Sequence, residues 1–359
     1  MSLQTVNMTQ AAKFIKVALK ANLVPYLAGS PGMGKSAMLH AIAKEFNLLL
    51  IDVRLAQEDP TTINGFPGIV NGRSVYQPPQ RFPLEGDKLP VVMDKDGKII
   101  HRYSGWLLLF DELPSAPKSV QAAAYKILLD RMIDNKPIHT RCAMVAAGNL
   151  LTDGAIVYDM GSALKSRLVH IHVKSNPEEF LGNVAKKINL DLRIEAYLNY
   201  QKSKVNNFDE YNKGSSDETF ACERTWHMAS KICHNIEPNQ NKPIPHEYSV
   251  LLQGTVGSAA LEFVQFTHAF DQLPTYKQII NDPTKAPVPS KPAVRWLLTS
   301  MLAGNATQAD LDPLMDYVER IPKEFQFATV KMLWNKDDKF LDNEKVMDKF
   351  TQIGDTLFG

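Results

Sequence analysis

The segment GSPGMGKS at residues 29–36 constrains this chain more than any other feature, because it matches the pattern G-x-x-x-x-G-K-[ST] in full. It directly follows an apolar run, LVPYL, at residues 23–27. Glycines let the backbone turn so that successive N–H groups face a phosphate, while the lysine reaches phosphate oxygens and the serine hydroxyl can bind Mg²⁺. The segment therefore predicts a strand, a phosphate-binding loop and a helix whose dipole favours anions at its N-terminus. The residues expected to contact a nucleotide are Gly29, Ser30, Pro31, Gly32, Met33, Gly34, Lys35, Ser36 and Ala37.

Length and composition narrow the class of protein. At 359 residues with 44% hydrophobic content, the chain predicts a large domain with one or two smaller modules. Lys plus Arg is 40 and Asp plus Glu is 39, so no bulk positive charge favours nucleic acid. The scattered Cys142, Cys222 and Cys233 argue against a disulfide framework and a zinc site. The opening MSLQTVNMTQ does not resemble a secretory leader, and no apolar run is long enough to span a bilayer, so we expect a cytoplasmic protein.

Apolar periodicity predicts strands that alternate with helices over the first half of the chain. The predicted helices are 8–21 and Ala37–Phe46, and the predicted strands after the loop are Leu48–Val53, Trp106–Phe110, Cys142–Ala147 and Arg167–Val173. This order is typical of an α/β fold with a mostly parallel sheet and a ligand at the carboxyl ends of its strands.

The rest of the chain divides into segments of different character. Residues 56–105 form an insertion rich in Pro and Gly, with a hairpin expected over Val91–His101, turning at Asp96 and Gly97. After residue 173 the pattern becomes helical. We therefore predict a nucleotide-binding α/β core at 1–174, a helical domain at 175–280, and a Pro-rich linker with a helical extension at 281–359.

Two carboxylates, Asp111 and Glu112, come directly after the buried strand LLLF. Alternate side chains of a strand point to opposite sides, so Asp111 could hold Mg²⁺ while Glu112 orients or deprotonates a water. The alternative is a solvated turn after a core strand.

Two further polar residues follow predicted strands. Asn149 ends CAMVAAGN, where a neutral amide could position water against a γ-phosphate, although an Asn that caps the next turn is the alternative. Arg167, in SALKSRLVHIHV, could serve a neighbouring subunit's site or simply neutralise carbonyls at a helix end. His170 and His172 share a strand face, but no third ligand is suitably spaced, which favours core or interface histidines.

The order and spacing of GSPGMGKS, LLLFDE, AAGN and SALKSRLVHI resemble the AAA+ ATPases, and specifically their MoxR-like branch. IDVRLAQEDPTTINGFP, FDELPSAPKSVQAAAYKILLDR and FACERTWHMASKI extend the resemblance over nearly the whole chain. It implies a P-loop AAA+ core with a helical lid (175–280) and a C-terminal helical extension.

The resemblance also implies roles for individual residues. Lys35 and Ser36 match the Walker A pair, Asp111 and Glu112 the Walker B pair, and Asn149 the first sensor.

The resemblance implies roles for two arginines as well. Arg167 matches the arginine finger, and Arg224 matches the second sensor of the lid, with a surface arginine as the alternative because Glu223 replaces the usual Pro-containing start. We further hypothesise that Arg54 pairs with Glu112 and holds it inactive.

The resemblance implies an ATP-hydrolysing, Mg²⁺-dependent ring subunit, hexameric in most of the family, that remodels or chaperones a protein partner. Such proteins commonly act with a von Willebrand A domain, which here would belong to a separate polypeptide because the chain has no D-x-S-x-S motif. Phe66 and Tyr76 are candidates for gripping a substrate, against the alternative of turn aromatics that pack locally. A nucleic-acid motor or loader is a second reading, disfavoured by the neutral charge, and a nucleotide-gated scaffold without turnover is a third.

Overall fold

A computed structural model describes residues 4–150, 153 and 158–358, with side chains described as far as residue 352. Its contacts divide the chain into two compact units, Met1–Asn176 and Pro177–Gly359, which we call the sheet unit and the helical unit. The predicted division into 1–174, 175–280 and 281–359 stays a prediction.

The sheet unit is an α/β structure, as the sequence predicts. Its described strands are β1 (Thr5–Val6), β2 (Val24–Ala28), β3 (Leu48–Arg54), β4 (Phe66–Val70), β5 (Arg73–Gln77), β6 (Val91–Met93), β7 (Ile99–Arg102), β8 (Gly105–Asp111), β9 (Met132–Ile133), β10 (Lys136–Pro137), β11 (Cys142–Gly148) and β12 (Leu168–Val173). Its described helices are α1 (Met8–Lys20), α2 (Lys35–Glu45), α3 (Pro60–Asn64), α4 (Lys118–Asp130) and α5 (Gly161–Lys165).

Six of the strands form one sheet in the order β1-β12-β2-β11-β8-β3, and every neighbouring pair is parallel. The central strands are buried on both faces, which is why β8 reads as the continuous apolar run Trp106–Phe110. One face packs against α1 and α2, and the other packs against α4. The resulting three-layer arrangement confirms the predicted α/β P-loop core with a parallel sheet.

Two antiparallel hairpins occupy the predicted insertion at 56–105. The expected hairpin is confirmed as β6 and β7, with Gly97 at φ 77° in its turn. A second one, β4 with β5, is not predicted by the sequence analysis; its turn residues Asn71 and Gly72 have φ values of 53° and 73°. We call it the apolar hairpin, because Phe66, Ile69, Val70 and Tyr76 are all exposed on it.

The helical unit contains no strand among its described residues. Its described helices are α6 (Pro177–Glu179), α7 (Leu192–Tyr200), α8 (Phe208–Tyr211), α9 (Glu223–Ile236), α10 (Ser249–Val256), α11 (Ala259–Thr267), α12 (Tyr276–Asn281), α13 (Pro292–Asn305), α14 (Leu311–Val318), α15 (Lys323–Lys336) and α16 (Glu344–Phe358). Rings of Tyr197, Trp226 and Phe263 meet at centroid separations of 5.6–5.9 Å in its core. The same core includes Leu297 and Phe325, so one apolar interior spans both sides of residue 280.

The chain's three cysteines are all unpaired thiols and all buried. Burial raises the pKa of Cys142 to about 12 and raises that of Cys233 as well. No helix among the described residues combines the length and the apolar character that crossing a membrane requires.

Candidate active site

The predicted site residues of the sheet unit meet because three neighbouring strands end side by side. β11 lies between β2 and β8 in the sheet, and parallel strands place their carboxyl ends at one edge. The phosphate loop follows β2, Asn149 follows β11, and Asp111 ends β8. We call Lys35, Ser36, Asp111, Glu112 and Asn149 the strand-end cluster.

The loop itself has the backbone that its glycines permit. Gly32 and Gly34 have φ values of 81° and 86°, in the left-handed region where L side chains are disfavoured. Gly34 is the N-cap of α2 and has no side chain with which to cap the helix. The N–H groups of the first turn and the helix dipole can therefore act on an anion. Met33 anchors the loop in the core with an exposed fraction of 6%.

Lys35 is the most buried member of the strand-end cluster, with an exposed fraction of 9%. Its ammonium donates to the carbonyl of Ser30 at 2.9 Å, to the carbonyl of Gly29, and to Oδ1 of Asn149 at 3.2 Å. The loop lysine and the predicted first sensor are thus in direct contact, although 114 residues separate them in sequence.

The predicted metal ligands, Ser36 and Asp111, are also in direct contact. The Ser36 hydroxyl donates to Oδ2 of Asp111 at 2.9 Å, and the backbone N–H of Glu112 donates to Oδ1 at 2.8 Å. Both carboxylate oxygens of Asp111 are therefore fixed in direction. A hydroxyl and a carboxylate are oxygen ligands of the kind that Mg²⁺ takes, usually one or two from the protein and the rest from water and phosphate.

Glu112 follows in an unusual backbone conformation. Its φ and ψ are 58° and 29°, in the left-handed region that costs a residue with a Cβ about 1–2 kcal/mol. Strain of this kind is concentrated at functional sites. The turn is closed by the Ser115 N–H, which donates to the Glu112 carbonyl at 2.9 Å.

Gly148 and Tyr26, which the sequence analysis does not single out, pack beside the strand-end cluster. A Cβ at Gly148 would lie 2.3 Å from Cδ of Pro114, so glycine is required where β11 approaches the turn after Glu112. The Tyr26 hydroxyl lies 3.1 Å from the same point, and burial, with the charge of Asp153, raises the pKa of Tyr26. The small residues of AAGN were the available signal for this close approach.

The two remaining predicted catalytic residues are arginines on the surface of their units. Arg167 follows α5 and is exposed; its Nη1 donates to the Tyr125 hydroxyl at 3.0 Å and to the Ala163 carbonyl at 3.2 Å. Arg224 lies in the first turn of α9, in the helical unit, and is exposed. The roles assigned to both stay predictions.

The hypothesis of an ion pair between Arg54 and Glu112 is not supported. Arg54 ends β3 beside Asp111 in the register, but its Nε lies 3.4 Å from Oδ2 of Asp52, two residues earlier on the same strand. Among the described residues, no ion pair joins Arg54 to Glu112. Asp52 and Arg54 lie on the same face of β3, because side chains two residues apart on a strand point the same way, so the guanidinium pairs with Asp52.

The other candidates fall outside the strand-end cluster. His170 packs edge-on to Tyr26, and its Nε2 contacts the Lys165 carbonyl at 2.7 Å, while burial and His170 lower the pKa of His172. Among the described residues, no group of three or more His, Cys, Asp or Glu side chains is placed to hold a metal ion. Phe66 and Tyr76 lie on the apolar hairpin with exposed fractions of 63% and 46%.

Comparisons with known proteins give distant likenesses only. No protein-family model matches the sequence, and no curated protein matches it either. Among solved structures, NtrX from Brucella abortus is 13% identical, with a TM-score of 0.34, and the match covers 98% of this chain and 69% of that one. Its complex with ADP is 12% identical over 99% and 70% of the two chains, also with a TM-score of 0.34. A variant of RuvB from Thermotoga maritima is 14% identical over 78% and 76%, with a TM-score of 0.37. These values are too low to assign the chain to a family.

Proposed function

We propose that the chain is a subunit of an ATP-hydrolysing AAA+ ring of the MoxR-like type. The observation that carries the proposal is the strand-end cluster. Lys35 contacts Asn149 at 3.2 Å and Ser36 contacts Asp111 at 2.9 Å, beside a glycine-rich loop that opens a helix. These are the parts that phosphoryl transfer from a nucleoside triphosphate requires.

Nucleotide binding is assigned to the loop from Gly29 to Ala37. The N–H groups of Gly32, Gly34 and Lys35 would bind the β-phosphate, and the Lys35 ammonium would exchange its carbonyl partners for phosphate oxygens. Because Oδ1 of Asn149 contacts the same ammonium, Asn149 would lie near the bound phosphates.

The hydroxyl of Ser36 and the carboxylate of Asp111 fit Mg²⁺, and we assign them as its protein ligands. A divalent cation bound there would neutralise charge on the β and γ oxygens. Asp111 is held for this purpose by the Glu112 N–H, which fixes the oxygen that does not contact Ser36.

Hydrolysis is assigned to Glu112 and Asn149. Glu112 would orient the attacking water and accept its proton, and the Asn149 amide would position the water against the γ-phosphate. A positioned general base contributes about 10²- to 10⁴-fold in rate.

Arg167 is assigned to the site of a neighbouring subunit. An exposed arginine that acts in trans requires a head-to-tail interface, and such an interface closes into a ring, here proposed as a hexamer. Arg224 is assigned as the second sensor of the lid, 175–280, with 281–359 as its helical extension. The work done is proposed to be remodelling of a protein partner, a separate von Willebrand A domain protein in the manner of the family that the motifs resemble.

The proposal is tested by the ATPase rate as a function of protein concentration, with mass measured in parallel with and without ATP and Mg²⁺. For Glu112→Gln we expect a loss of about 10²- to 10⁴-fold with ATP binding kept. For Arg167→Ala we expect a loss of about 10³-fold or more, visible only where the wild type assembles.

Matched controls are Glu45→Gln and Arg102→Ala, which replace exposed residues of the same unit and should leave the rate unchanged. If specific activity is independent of concentration and Arg167→Ala behaves as wild type, the ring and the trans-acting arginine are both wrong. Stimulation by DNA that weakens steeply with salt would instead favour a nucleic-acid motor.

A further inference from the structure

We propose that Tyr125 is the positioning residue that sets the direction of the Arg167 guanidinium. The inference rests on the proposed trans-acting role of Arg167 and adds a residue that its motif does not contain. Tyr125 lies in α4, 42 residues before Arg167 in the sequence.

The contacts divide the guanidinium into a held part and a part left for a ligand. Nη1 donates to two acceptors of its own subunit, the Tyr125 hydroxyl at 3.0 Å and the Ala163 carbonyl at 3.2 Å. No hydrogen bond from Nε or Nη2 is found within the described part of the chain. Those two nitrogens form the edge of the planar fork that suits a phosphate oxygen pair.

Of the two acceptors, Tyr125 is the one that ties Arg167 to the rigid body of the sheet unit. Ala163 belongs to α5, the short helix that leads directly into Arg167, so its carbonyl moves with the arginine. The helix α4 is buried in the core through Val120, Ala124 and Ile127, and the half-buried ring of Tyr125 packs against the same core. A hydroxyl on that helix therefore holds the guanidinium in one orientation relative to the core of the sheet unit.

Such a contact matters for a residue that acts in trans. A long, exposed arginine has many rotamers, and ordering it at the moment of reaction raises the barrier. Charge placed in advance where negative charge develops needs no such reorganisation. Tyr125 therefore acts on the rate through Arg167, without contact to the nucleotide.

The first test is Tyr125→Phe, which removes only the hydroxyl. We expect kcat for ATP hydrolysis to fall about tenfold, as for the loss of one hydrogen bond to a charged group, with KM and thermal stability unchanged. In the Arg167→Ala background the same change should have no further effect, because residues that act as one unit are not additive. Tyr103→Phe, whose ring packs on His101 in the same unit, is the matched control.

The second test separates action in trans from action in cis. Rings co-assembled from Tyr125→Phe and Glu112→Gln subunits contain live sites that face intact arginines, so activity per live site should rise above that of Tyr125→Phe alone. No rise should follow when the second subunit carries both Glu112→Gln and Arg167→Ala.

The outcomes distinguish this inference from the function on which it rests. If Tyr125→Phe lowers kcat equally with and without Arg167, or if co-assembly restores nothing, Tyr125 does not position Arg167 and the ATPase assignment stands. If Arg167→Ala itself has no effect on an active, assembled ATPase, Arg167 does not act in trans, and the role proposed for Tyr125 is wrong as well.

Discussion

The strand-end cluster of the sheet unit and a second charged cluster in the helical unit contain the same kinds of side chain but differ in burial. The second one, which we call the α7 cluster, consists of Asp191, Arg193 and Glu195 at the start of α7, all buried. In the strand-end cluster only Lys35 is buried, and the other four members are partly exposed.

In the α7 cluster, Asp191 and Arg193 satisfy each other's charge. Arg193 and Asp191 are both 0% exposed and meet at 2.6 Å between Nη2 and Oδ2. The other guanidinium donors go to the carbonyls of Lys242 at 3.0 Å and Glu237 at 2.9 Å. The pair fastens the polar segment after α9 to α7, so its role is structural. Burial of a charged side chain therefore does not by itself indicate a functional site.

Arg193→Met offers the largest expected effect. Removing the cation leaves the Asp191 carboxylate buried without its partner, so we expect the free energy of unfolding to fall by about 3–5 kcal/mol. Urea unfolding at neutral pH measures this, with Arg102→Met on the surface of the sheet unit as control. A loss below about 1 kcal/mol would mean that the α7 cluster is not the structural tie described here.

Glu195→Gln tests the burial of the α7 cluster through the pH dependence of the free energy of unfolding. Burial raises the pKa of Glu195 from 4.5 to about 7, against the opposing attraction of Lys331, and burial lowers the pKa of Lys331. Since the folded pKa is raised, the stability that Glu195 contributes is fully present below pH 4.5 and is lost as pH rises through about 7.

We therefore expect Glu195→Gln to be near wild type at pH 4 and more stable by up to about 3 kcal/mol at pH 8. Unfolding midpoints between these two pH values measure the difference. An equal effect of the substitution at both ends would show that the acid does not titrate in the folded range.

Glu112→Gly has the smallest expected effect on the free energy of unfolding. Its expected effect on the proposed ATPase activity is large and opposite in direction. Glycine relieves the left-handed conformation at φ 58°, so we expect a gain of about 1 kcal/mol while the proposed ATPase activity is lost. Asn71→Gly, at φ 53° in the apolar hairpin, is the control, with little change in either quantity because asparagine tolerates this region. A loss of stability in Glu112→Gly would show that the Glu112 side chain supports the fold.

The sequence predicts the central sheet well because its strands are buried on both faces. β8 and β11 extend the predicted Trp106–Phe110 and Cys142–Ala147 by one or two residues, since continuous apolar runs mark such strands clearly. The contact of Ser36 with Asp111 follows from that topology. Parallel strands place their carboxyl ends at one edge of the sheet, so the residues that follow those ends lie close together.

The apolar hairpin was missed for the converse physical reason. Both of its faces are exposed, so no alternation of apolar and polar residues marks it as a strand pair. The dipeptide Asn71-Gly72 was the available signal, since both residues adopt the positive φ of a tight hairpin turn. The Arg54 hypothesis failed because spacing along the chain does not show which of two carboxylates a long side chain reaches.

The burial of the three thiols has a practical consequence for labelling. A maleimide reacts with the accessible thiolate, and burial withholds Cys142, Cys222 and Cys233 from it, with raised pKa values at two of them. A single cysteine introduced on the exposed tip of the apolar hairpin would then be the one that reacts, with no native cysteine replaced. A fluorophore placed there would report whether that hairpin contacts another protein, with and without added ATP.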